Sequence, residues 1–478
     1  MSITGSLQPK KVFEYFEKIC AIPHGSGNME KIADFCVDFA KNHGLDYRRD
    51  RSDNVVIYKG GSAGYENSAP VILQGHLDMV CQKTEDCLID FEEDGLDLYV
   101  DGDFLKARGT TLGADNGIAV AIILAILERE DLSHPPIEAL LTTDEETGMY
   151  GAMGFDGSWL SGKRLINMDS ENEDILTVSC AGGSNCTLSL NLDLKKSKGT
   201  LVTVKLFGLQ GGHSGVDINR GRVNANVLMG RFLNTIDTEV PFWIVSVYGG
   251  DKGNVIPFAS TLEVLTDAPD DFCKVSGECL ETIRKEICAR EPGFGFTIRI
   301  EEECEKEIIS NRRELIFLLA CAPNGILKMS AEIEGLVETS LNMGVVRTVE
   351  DLLEIVFALR SNKMSALYYL QKKLDRLCDF VNCMAITDGV YPAWEFKENS
   401  ILQEKYKEVY RSIYGKEPVV EAIHAGLECG VLAGKINDLD CISIGPEMYD
   451  VHTVKERLSI SSTERFYGLV CKLLESLK

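Results

Sequence analysis

The sequence has no long apolar run and is poor in basic residues. Its longest apolar stretch, residues 118–127, is about half as long as a bilayer span, so it predicts a buried helix. Lys and Arg number 49 against 74 Asp and Glu, which gives a formal net charge of −25. Because such an acidic surface repels phosphate groups, we expect neither nucleic acid nor a membrane as a partner.

Disulfide and zinc-finger patterns are also missing. The 16 cysteines include no CxxC pair, and many lie in apolar segments. This predicts reduced, buried thiols in a cytoplasmic protein. Residues 1–20 lack the basic-then-apolar order of a secretion signal, which favours the same compartment. Histidine is scarce, with seven residues in all, and we expect His24, His43 and His134 to be structural.

The length and the order of elements predict more than one domain. A chain of 478 residues is too long for a single core. Residues 1–185 alternate strands with helices, which predicts an α/β domain whose sheet is mixed, largely parallel and flanked by helices. Residues 186–390 have an α+β pattern, for which we expect two similar halves, including a helix at 352–359. Residues 391–478 return to the first pattern, so the middle domain is predicted to be an insertion.

A histidine and an aspartate follow the apolar run at residues 71–73. His76 and Asp78 are two residues apart and therefore project to the same side of an extended chain. The Asp78 carboxylate can then accept the proton of one imidazole nitrogen and leave the other nitrogen for a metal ion. A plain hydrogen bond between the two residues is the ordinary alternative.

Further ligand-type residues occur later in the chain, several of them also after apolar runs. Taken singly, each of these residues is interpreted as part of a turn, a solvated face or a structural histidine. Taken together, they predict one site, because ligands collect at the carboxyl ends of parallel strands. Two imidazoles and three carboxylates suit zinc, and also manganese or cobalt. The predicted ligands are His76, Asp115, one of Glu145 and Glu146, Asp169 and His452.

This ligand set predicts hydrolysis of a peptide or amide. Five ligands suffice for two divalent ions if one carboxylate bridges them, and such a pair can hold a hydroxide and polarise a carbonyl. Glu145 and Glu146 are adjacent and point apart. One can therefore bind metal while the other serves as general base and later as acid for the leaving amine. The chemistry alone does not decide which glutamate has which role.

The ordered motifs resemble the metallopeptidase family M20, and within it the aminoacyl-histidine dipeptidase group. The resemblance covers essentially the whole chain and rests on GHLDMV at 75–80, GADNG at 113–117, TTDEETG at 142–148, NMDSE at 167–171, GGHSG at 211–215, GGDKGNVIPFAS at 249–260 and HAGLECG at 424–430. It implies that His76 and Asp169 hold one ion, that Glu146 and His452 hold the other, and that Asp115 bridges. It also implies that Asp78 orients His76, that Glu145 is the base, and that the peptide bond between Asp115 and Asn116 is cis.

The resemblance further implies that the inserted domain is a lid over the catalytic domain. His213 would then stabilise the oxyanion, Asn254 and Arg360 would hold the substrate carboxylate, and His424 and Gly426 would line the pocket. Whether His213 acts within one chain or across a homodimer is open.

The implied activity is hydrolysis of unblocked dipeptides, including Xaa-His substrates of the beta-alanyl-histidine type. The substrate is then a small peptide, and the cofactors are two divalent ions, zinc by default. The alternatives are a tripeptidase, an N-acyl-amino-acid amidohydrolase, and a non-catalytic binding protein on the same fold.

Overall fold

The structure is a computed structural model that describes residues 3–478. The chain forms two compact units. Unit 1 contains the residues up to Cys180 together with Trp394–Ala422 and Leu427–Lys478, and unit 2 contains Ala181–Ala393 and Ile423–Gly426. The predicted domain limits at 185 and 390 lie close to these junctions. The short return of residues 423–426 to unit 2 has no signal in the sequence.

The elements of unit 1 come from both ends of the chain. The first part contains α1 (Lys10–Cys20), α2 (Glu30–Asn42), β1 (Asp46–Arg49), β2 (Val55–Lys59), β3 (Val71–His76), β4 (Leu98–Asp101), β5 (Phe104–Ala107), α3 (Ala114–Glu128), β6 (Ile137–Thr142), α4 (Tyr150–Gly154), β7 (Arg164–Asn167) and β8 (Ile175–Cys180).

Unit 2 follows in the chain, before the return to unit 1. It contains β9 (Gly182–Asn191), β10 (Leu194–Phe207), β11 (Gly212–His213), α5 (Ala225–Ile236), β12 (Trp243–Gly249), β13 (Val255–Ile256), β14 (Ser260–Thr266), α6 (Pro269–Ile287), β15 (Gly295–Ile309), α7 (Arg312–Cys321), β16 (Gly325–Met329), β17 (Val337–Val349), β18 (Leu352–Ser361), α8 (Met364–Val381) and β19 (Met384–Tyr391). The last part of the chain adds α9 (Ile401–Tyr414), β20 (Val419–Ile423), α10 (Glu428–Lys435), β21 (Asp440–Ser443), β22 (Met448–Tyr449), β23 (Arg457–Ser459) and α11 (Ile460–Ser476).

Unit 1 is built on an eight-stranded mixed sheet in the order β1-β2-β6-β3-β7-β21-β8-β20. The central strands β6, β3, β7 and β21 are parallel, whereas β2 joins β6 in the antiparallel sense. This confirms the predicted α/β class with a mixed, largely parallel sheet. Every residue of β3 and β6 is buried, because helices cover both faces of such a sheet.

Helix α3 is apolar on every side and buried from residue 116 to residue 127. It lies in the interior of unit 1, as predicted from its composition. No helix within residues 3–478 combines the length and the hydropathy that a membrane crossing requires.

The strand register decides where the ends of the central strands lie. His76 at the end of β3 is level with Thr142 at the end of β6, and Gln74 is level with Asn167 at the end of β7. The chain segments that follow these strands therefore leave the sheet at the same edge. Ligands bind at this edge in parallel α/β sheets.

Unit 2 contains one nine-stranded sheet whose two halves have the same connectivity. Strands β10, β12, β14 and β15 with helices α5 and α6 form one half, in the spatial order β15-β10-β14-β12. Strands β9, β17, β18 and β19 with helices α7 and α8 form the other, in the order β19-β9-β18-β17, and the ninth strand, β16, pairs with β17. The halves are nested in the sequence, because the residues of the first half are inserted between β9 and α7 of the second. In the sheet, β12 pairs with β17 and so joins the two halves.

The predicted helix at 352–359 is wrong, because these residues belong to strand β18. The strand pairs with β17 on one side and with β9 on the other. Leu353, Ile355 and Phe357 alternate with more exposed residues and are fully buried. The segment contains three leucines, one alanine and one glutamate, which favour helix in isolation. Hydrogen bonding to two neighbouring strands overrides that preference.

Candidate functional site

The predicted metal ligands lie at the carboxyl edge of the unit 1 sheet or in adjoining turns. His76 ends β3, and Asp169 lies two residues beyond β7. Asp115 lies in the first turn of α3, and Glu146 lies in the turn after β6. His452 lies in the loop between β22 and β23, with φ of 64°. Elements distant in sequence thus bring all of these side chains to one edge.

The Asp115 carboxylate lies between the two imidazoles. Its Oδ1 is 3.1 Å from Nε2 of His76, and its Oδ2 is 3.2 Å from Nε2 of His452. Each oxygen therefore faces a different histidine. This is the arrangement that a carboxylate bridging two cations would have.

The remaining ligands divide between the two histidines. Oε1 of Glu146 is 2.8 Å from Nε2 of His452, and Oδ1 of Asp169 is 3.5 Å from Nε2 of His76. Ligand atoms of His76, Asp115 and Glu146 lie within 4.8 Å of one another. The geometry thus separates into a His76–Asp169 side and a Glu146–His452 side that share Asp115.

The electrostatics of the cluster fit divalent cations. Burial and the charge of Asp115 raise the pKa of Asp169 to about 8. Burial also raises the pKa of Glu145, with Asp169 and Glu146 adding repulsion. Carboxylates buried together in this way disfavour ionisation unless positive charge offsets them. Nitrogen and oxygen donors from imidazole and carboxylate suit zinc, cobalt and manganese.

Asn116 connects three segments of the site. Its backbone N–H belongs to a cis peptide bond with Asp115, as the family resemblance implies. Its side-chain Oδ1 accepts from the N–H of His76 at 3.1 Å, and its Nδ2 donates to Oδ1 of Asp169 at 3.0 Å and to the carbonyl of Met168 at 2.8 Å. The sequence shows Asn116 only as part of a turn-like motif, because its partners are distant in the chain.

Asp78 orients both the histidine and the glutamate turn. Nδ1 of His76 lies 3.0 Å from the main-chain carbonyl of Asp78 and 3.5 Å from its carboxylate. The carboxylate accepts hydrogen bonds from the N–H groups of Glu145 at 3.0 Å and Glu146 at 3.3 Å, and from the hydroxyl of Ser26 at 2.8 Å. The sequence predicted only the contact with His76, because the other partners come from distant segments.

The two adjacent glutamates have different surroundings. Glu146 contacts His452, whereas no hydrogen bond to the Glu145 carboxylate occurs among residues 3–478. Glu145 nevertheless lies in the same charged cluster, since Asp169 and Glu146 both raise its pKa. This difference supports Glu146 as the metal ligand and Glu145 as the base, which stay predictions.

Glu456 is a buried residue of the site that the sequence analysis missed. Its Oε2 accepts from the N–H groups of Leu112 at 2.8 Å and Gly113 at 3.2 Å. Its Oε1 accepts from Ala114 at 2.8 Å and Asp115 at 3.4 Å. The residue is 4% exposed and lies four positions after His452. It therefore links the loop of His452 to the turn of Asp115.

A second buried carboxyl group lies on α10. Oε2 of Glu428 accepts from Thr142 at 2.6 Å and from Gln74 at 2.5 Å, while Oε1 of Gln74 accepts from Asn167 at 2.5 Å. These polar side chains are fully buried, and burial raises the pKa of Glu428 to about 7. The signal available in the sequence was a glutamine within the apolar run of β3. Its partners become evident only from the register of the sheet.

Unit 2 brings His213 and Arg360 together. Nδ1 of His213 accepts from the N–H groups of Gly215 at 3.2 Å and Val216 at 3.3 Å. In the neutral ring the proton is therefore on Nε2, which lies 3.4 Å from Nη2 of Arg360. Burial and the Arg360 charge lower the pKa of His213 and keep the ring neutral. Two donors that face one another in this way suit an anionic acceptor between them.

The other predicted binding residues lie around this pair. His424 is buried, with Nε2 2.7 Å from the hydroxyl of Ser340, and burial together with Arg360 lowers its pKa to about 3. The Asn254 carbonyl accepts from Ser214, next to His213, at 2.9 Å. Gly426 follows two residues after His424 and is half-buried in unit 2. Unit 2 thus contains two neutral histidines beside the positively charged Arg360, in contrast to the acidic cluster of unit 1.

Comparison with known proteins places this site among metallopeptidases. The sequence matches the model of Peptidase family M20/M25/M40 over residues 72–476. The cytosol non-specific dipeptidase of Escherichia coli (strain K12) is 38% identical, with 100% of this chain and 99% of that protein covered. The crystal structure of aminoacylhistidine dipeptidase from Vibrio alginolyticus matches with a TM-score of 0.93 at 36% identity, covering 99% and 98% of the two chains. Aminopeptidase PepT from Bacillus cereus, at 13% identity and a TM-score of 0.57, shares the fold alone, covering 98% and 99%.

We expect Glu456→Gln to weaken metal binding. The amide can replace only one of the two accepting oxygens, so at least one buried N–H group beside Asp115 loses its partner, at a cost of about 1–3 kcal/mol. Residues that orient ligands typically change metal affinity by about 10- to 100-fold. Calorimetric titration of the metal-stripped protein with zinc measures this affinity.

Glu464→Gln is the matched control, because Glu464 is exposed on α11. Equal zinc affinity in the Glu456 variant, the control and the unmodified protein would contradict the positioning role.

Proposed function

Because this chain belongs to Peptidase family M20/M25/M40, we propose that it hydrolyses unblocked dipeptides, including Xaa-His, at the acidic cluster of unit 1. The chain is a metallo-exopeptidase that binds a divalent metal. The observation that carries the proposal is the Asp115 carboxylate, which has one oxygen toward His76 and the other toward His452. The relatives from Escherichia coli and Vibrio alginolyticus, at 38% and 36% identity, are both named dipeptidases.

The proposed cofactors are two divalent ions. His76 and Asp169 would hold one, Glu146 and His452 would hold the other, and Asp115 would bridge them. Zinc is the ion that this donor set favours, and cobalt and manganese are compatible with it. When bound, such ions polarise the scissile carbonyl and lower the pKa of water.

Glu145 is the proposed proton-transfer residue. It would take a proton from the attacking water and give it to the leaving amine. Burial raises its pKa, which brings the carboxyl group closer to the range in which it can both accept and donate a proton. Asp78 holds Glu145 in place through the main-chain N–H of that residue.

The cluster of unit 2 is proposed to bind the substrate. Arg360 and Asn254 would hold the terminal carboxylate, and the guanidinium suits this role because its donors form a fork. His213 would donate from Nε2 to the developing oxyanion. The pKa of His213 is lowered, so the ring stays neutral and keeps a single proton for this donation. His424 and Gly426 would line the pocket.

We also propose that the protein works in the cytoplasm. The E. coli relative is named a cytosol protein, and all 16 cysteines of this chain are free. Reduced thiols are typical of that compartment.

Stripping the metal should abolish dipeptide hydrolysis, and zinc should restore it. The assay is a panel that contains Gly-His, beta-alanyl-histidine, a tripeptide and an N-acetyl amino acid. We expect both dipeptides to be cleaved, and the two other substrates to be cleaved slowly. Faster turnover of the tripeptide or of the acylated substrate would replace the proposed activity by that of a tripeptidase or an amidohydrolase.

Glu145→Gln and Glu146→Gln should differ in kind. The Glu145 variant should keep its full zinc content and lose about 10²- to 10⁴-fold in kcat, since general acid–base catalysis contributes in that range. The Glu146 variant should lose zinc as well as activity. Metal content is measured by plasma mass spectrometry beside the kinetics. Normal turnover by the Glu145 variant would refute the base assignment.

Arg360→Ala should raise KM more than it lowers kcat. A charged hydrogen bond to a carboxylate contributes about 1.5–3 kcal/mol, which corresponds to a rise of about 10- to 150-fold in KM. The variant should also lose discrimination between a dipeptide and its C-terminal amide. Arg376→Ala is the control, because the Arg376 side chain is 83% exposed. Unchanged preference for the free carboxylate in the Arg360 variant would exclude this role.

A further inference from the structure

Two cysteines lie at the C-terminal end of α8 in unit 2. Cys378 belongs to the last turn of the helix and is 3% exposed, and Cys383 is the second residue beyond the helix. Asn382 between them is left-handed, with φ of 55°, and the N–H of Cys383 donates to the carbonyl of Cys378 at 3.0 Å. This hydrogen bond closes a Schellman motif, in which the side chains at the two bonded positions come into contact. The helix end therefore brings two thiols together.

The contact between these two side chains is direct. The thiol of Cys378 donates a hydrogen bond to the sulfur of Cys383, and both side chains pack against the apolar core of unit 2. An apolar contact is usual at these two positions of the motif, and here the contact is made by two cysteines. Both thiols are free in the structure, so the motif contains a preformed dithiol.

The two thiols differ in acidity and in access. The hydrogen bond from Cys378 stabilises the thiolate of Cys383 and so lowers its pKa. The same hydrogen bond, together with burial, raises the pKa of Cys378. Cys383 is half-buried, whereas Cys378 is almost fully buried. Since the thiolate is the reactive form of cysteine, Cys383 is the nucleophile of the pair, and Cys378 is the neighbour that can react with it next.

Other neighbouring thiols of the chain lack these properties. Cys429 and Cys441 in the core of unit 1 are also hydrogen-bonded to one another, but they are 0% and 2% exposed, and burial raises the pKa of each. Cys186 on β9 lies near the α8 pair, yet it is fully buried, and burial raises its pKa to about 11. These thiols provide an internal comparison, because they have thiol neighbours but no accessible thiolate.

We propose that Cys378 and Cys383 are a modification site at which a hydroperoxide forms a reversible disulfide. The site lies in unit 2 and contains none of the residues proposed for hydrolysis. Disulfides in cytoplasmic proteins are typically transient and serve catalysis or redox sensing. A pair that consists of an accessible thiolate and a buried partner thiol at a helix end fits such a reversible change.

The reaction has two steps. The Cys383 thiolate attacks one peroxide oxygen, the O–O bond breaks, and the other oxygen takes up a proton and leaves as an alcohol or as water. Cys383 is thereby oxidised to a sulfenic acid. The sulfur of Cys378 then attacks the sulfenic sulfur, so that the S–S bond forms, the S–O bond breaks and water leaves with the thiol proton. A reduced dithiol reverses the change by thiol–disulfide exchange and is itself oxidised.

The test treats the zinc-loaded, full-length protein with hydrogen peroxide, alkylates the remaining thiols in denaturant and digests with trypsin. Residues 377–397 form one tryptic peptide that contains Cys378 and Cys383 and no other cysteine. We expect mass spectrometry to show that this peptide escapes alkylation and loses two hydrogen atoms, while Cys429, Cys441 and Cys186 are alkylated. Dithiothreitol should restore both thiols.

Two variants separate the roles of the thiols. Cys378→Ser should stop at a sulfenic acid on Cys383, which dimedone traps, because the second thiol is missing. Cys383→Ser should leave Cys378 reduced, because burial keeps its thiol protonated. Cys288→Ser is the matched control, since Cys288 is an exposed cysteine at the end of α6, and the oxidation of residues 377–397 should be unchanged in it.

Three results would overturn the inference. These are alkylation of both α8 thiols after peroxide treatment, a cross-link of either thiol to Cys186, and a loss of Cys429 and Cys441 that is as fast as the loss of the α8 pair. Each is read from the unmodified protein, so the outcome does not depend on the folding of the variants. It also needs no assay of dipeptide hydrolysis, so a failure of the proposed function leaves this test intact.

Discussion

Parallel pairing of β3 with β6 and β7 is the constraint on which the site depends. The register places the ends of these strands at one edge, so that His76, the turn of Glu145 and Glu146, and Asp169 emerge together. The central strands β3 and β6 are buried on both faces, so the elements packed around them hold that register. The cost of gathering carboxylates there is visible in the raised pKa values of Glu145 and Asp169. A bound divalent cation would offset that cost.

The edge of the sheet alone does not orient the ligands. Asn116, Asp78 and Glu456 do so through hydrogen bonds to the backbone of segments that are distant in sequence. Glu456 is an example of such support. Its carboxylate accepts hydrogen bonds from the N–H groups of Gly113 and Asp115, and so it holds the loop of His452 to the start of α3. Functional groups that are held within fractions of an ångström need supports of this kind. The buried carboxylate of Glu428 adds a further polar connection, because it accepts hydrogen bonds from Gln74 of β3 and Thr142 of β6 and so links both strands to α10.

The two units provide different electrostatic environments for the proposed catalysis and for the proposed substrate binding. Unit 1 gathers negative charge that suits cations. Unit 2 keeps His213 and His424 neutral by burial beside Arg360, so their nitrogen atoms serve as hydrogen-bond partners and not as charges. In the proposed function, the unit 2 cluster would hold the carboxylate end of the dipeptide. The size of unit 2 follows from its nested halves, which double the sheet that carries Arg360.

The sequence alone determined the α/β class, the buried helix α3 and the candidate ligand types, because strand ends and apolar runs are local patterns. It also supplied the family resemblance, from which the pairing of ligands was inferred. Tertiary structure decided what depends on distant partners. Residues 352–359 become β18 because β9 and β17 supply hydrogen bonds on both sides, and Glu456 acquires a role only because folding brings residues 112–115 to it. A side chain such as Asp78 is visible in a motif, but the groups it binds are separated from it by more than 50 residues. Contacts over such separations are set by packing of the whole unit, and no local pattern encodes them.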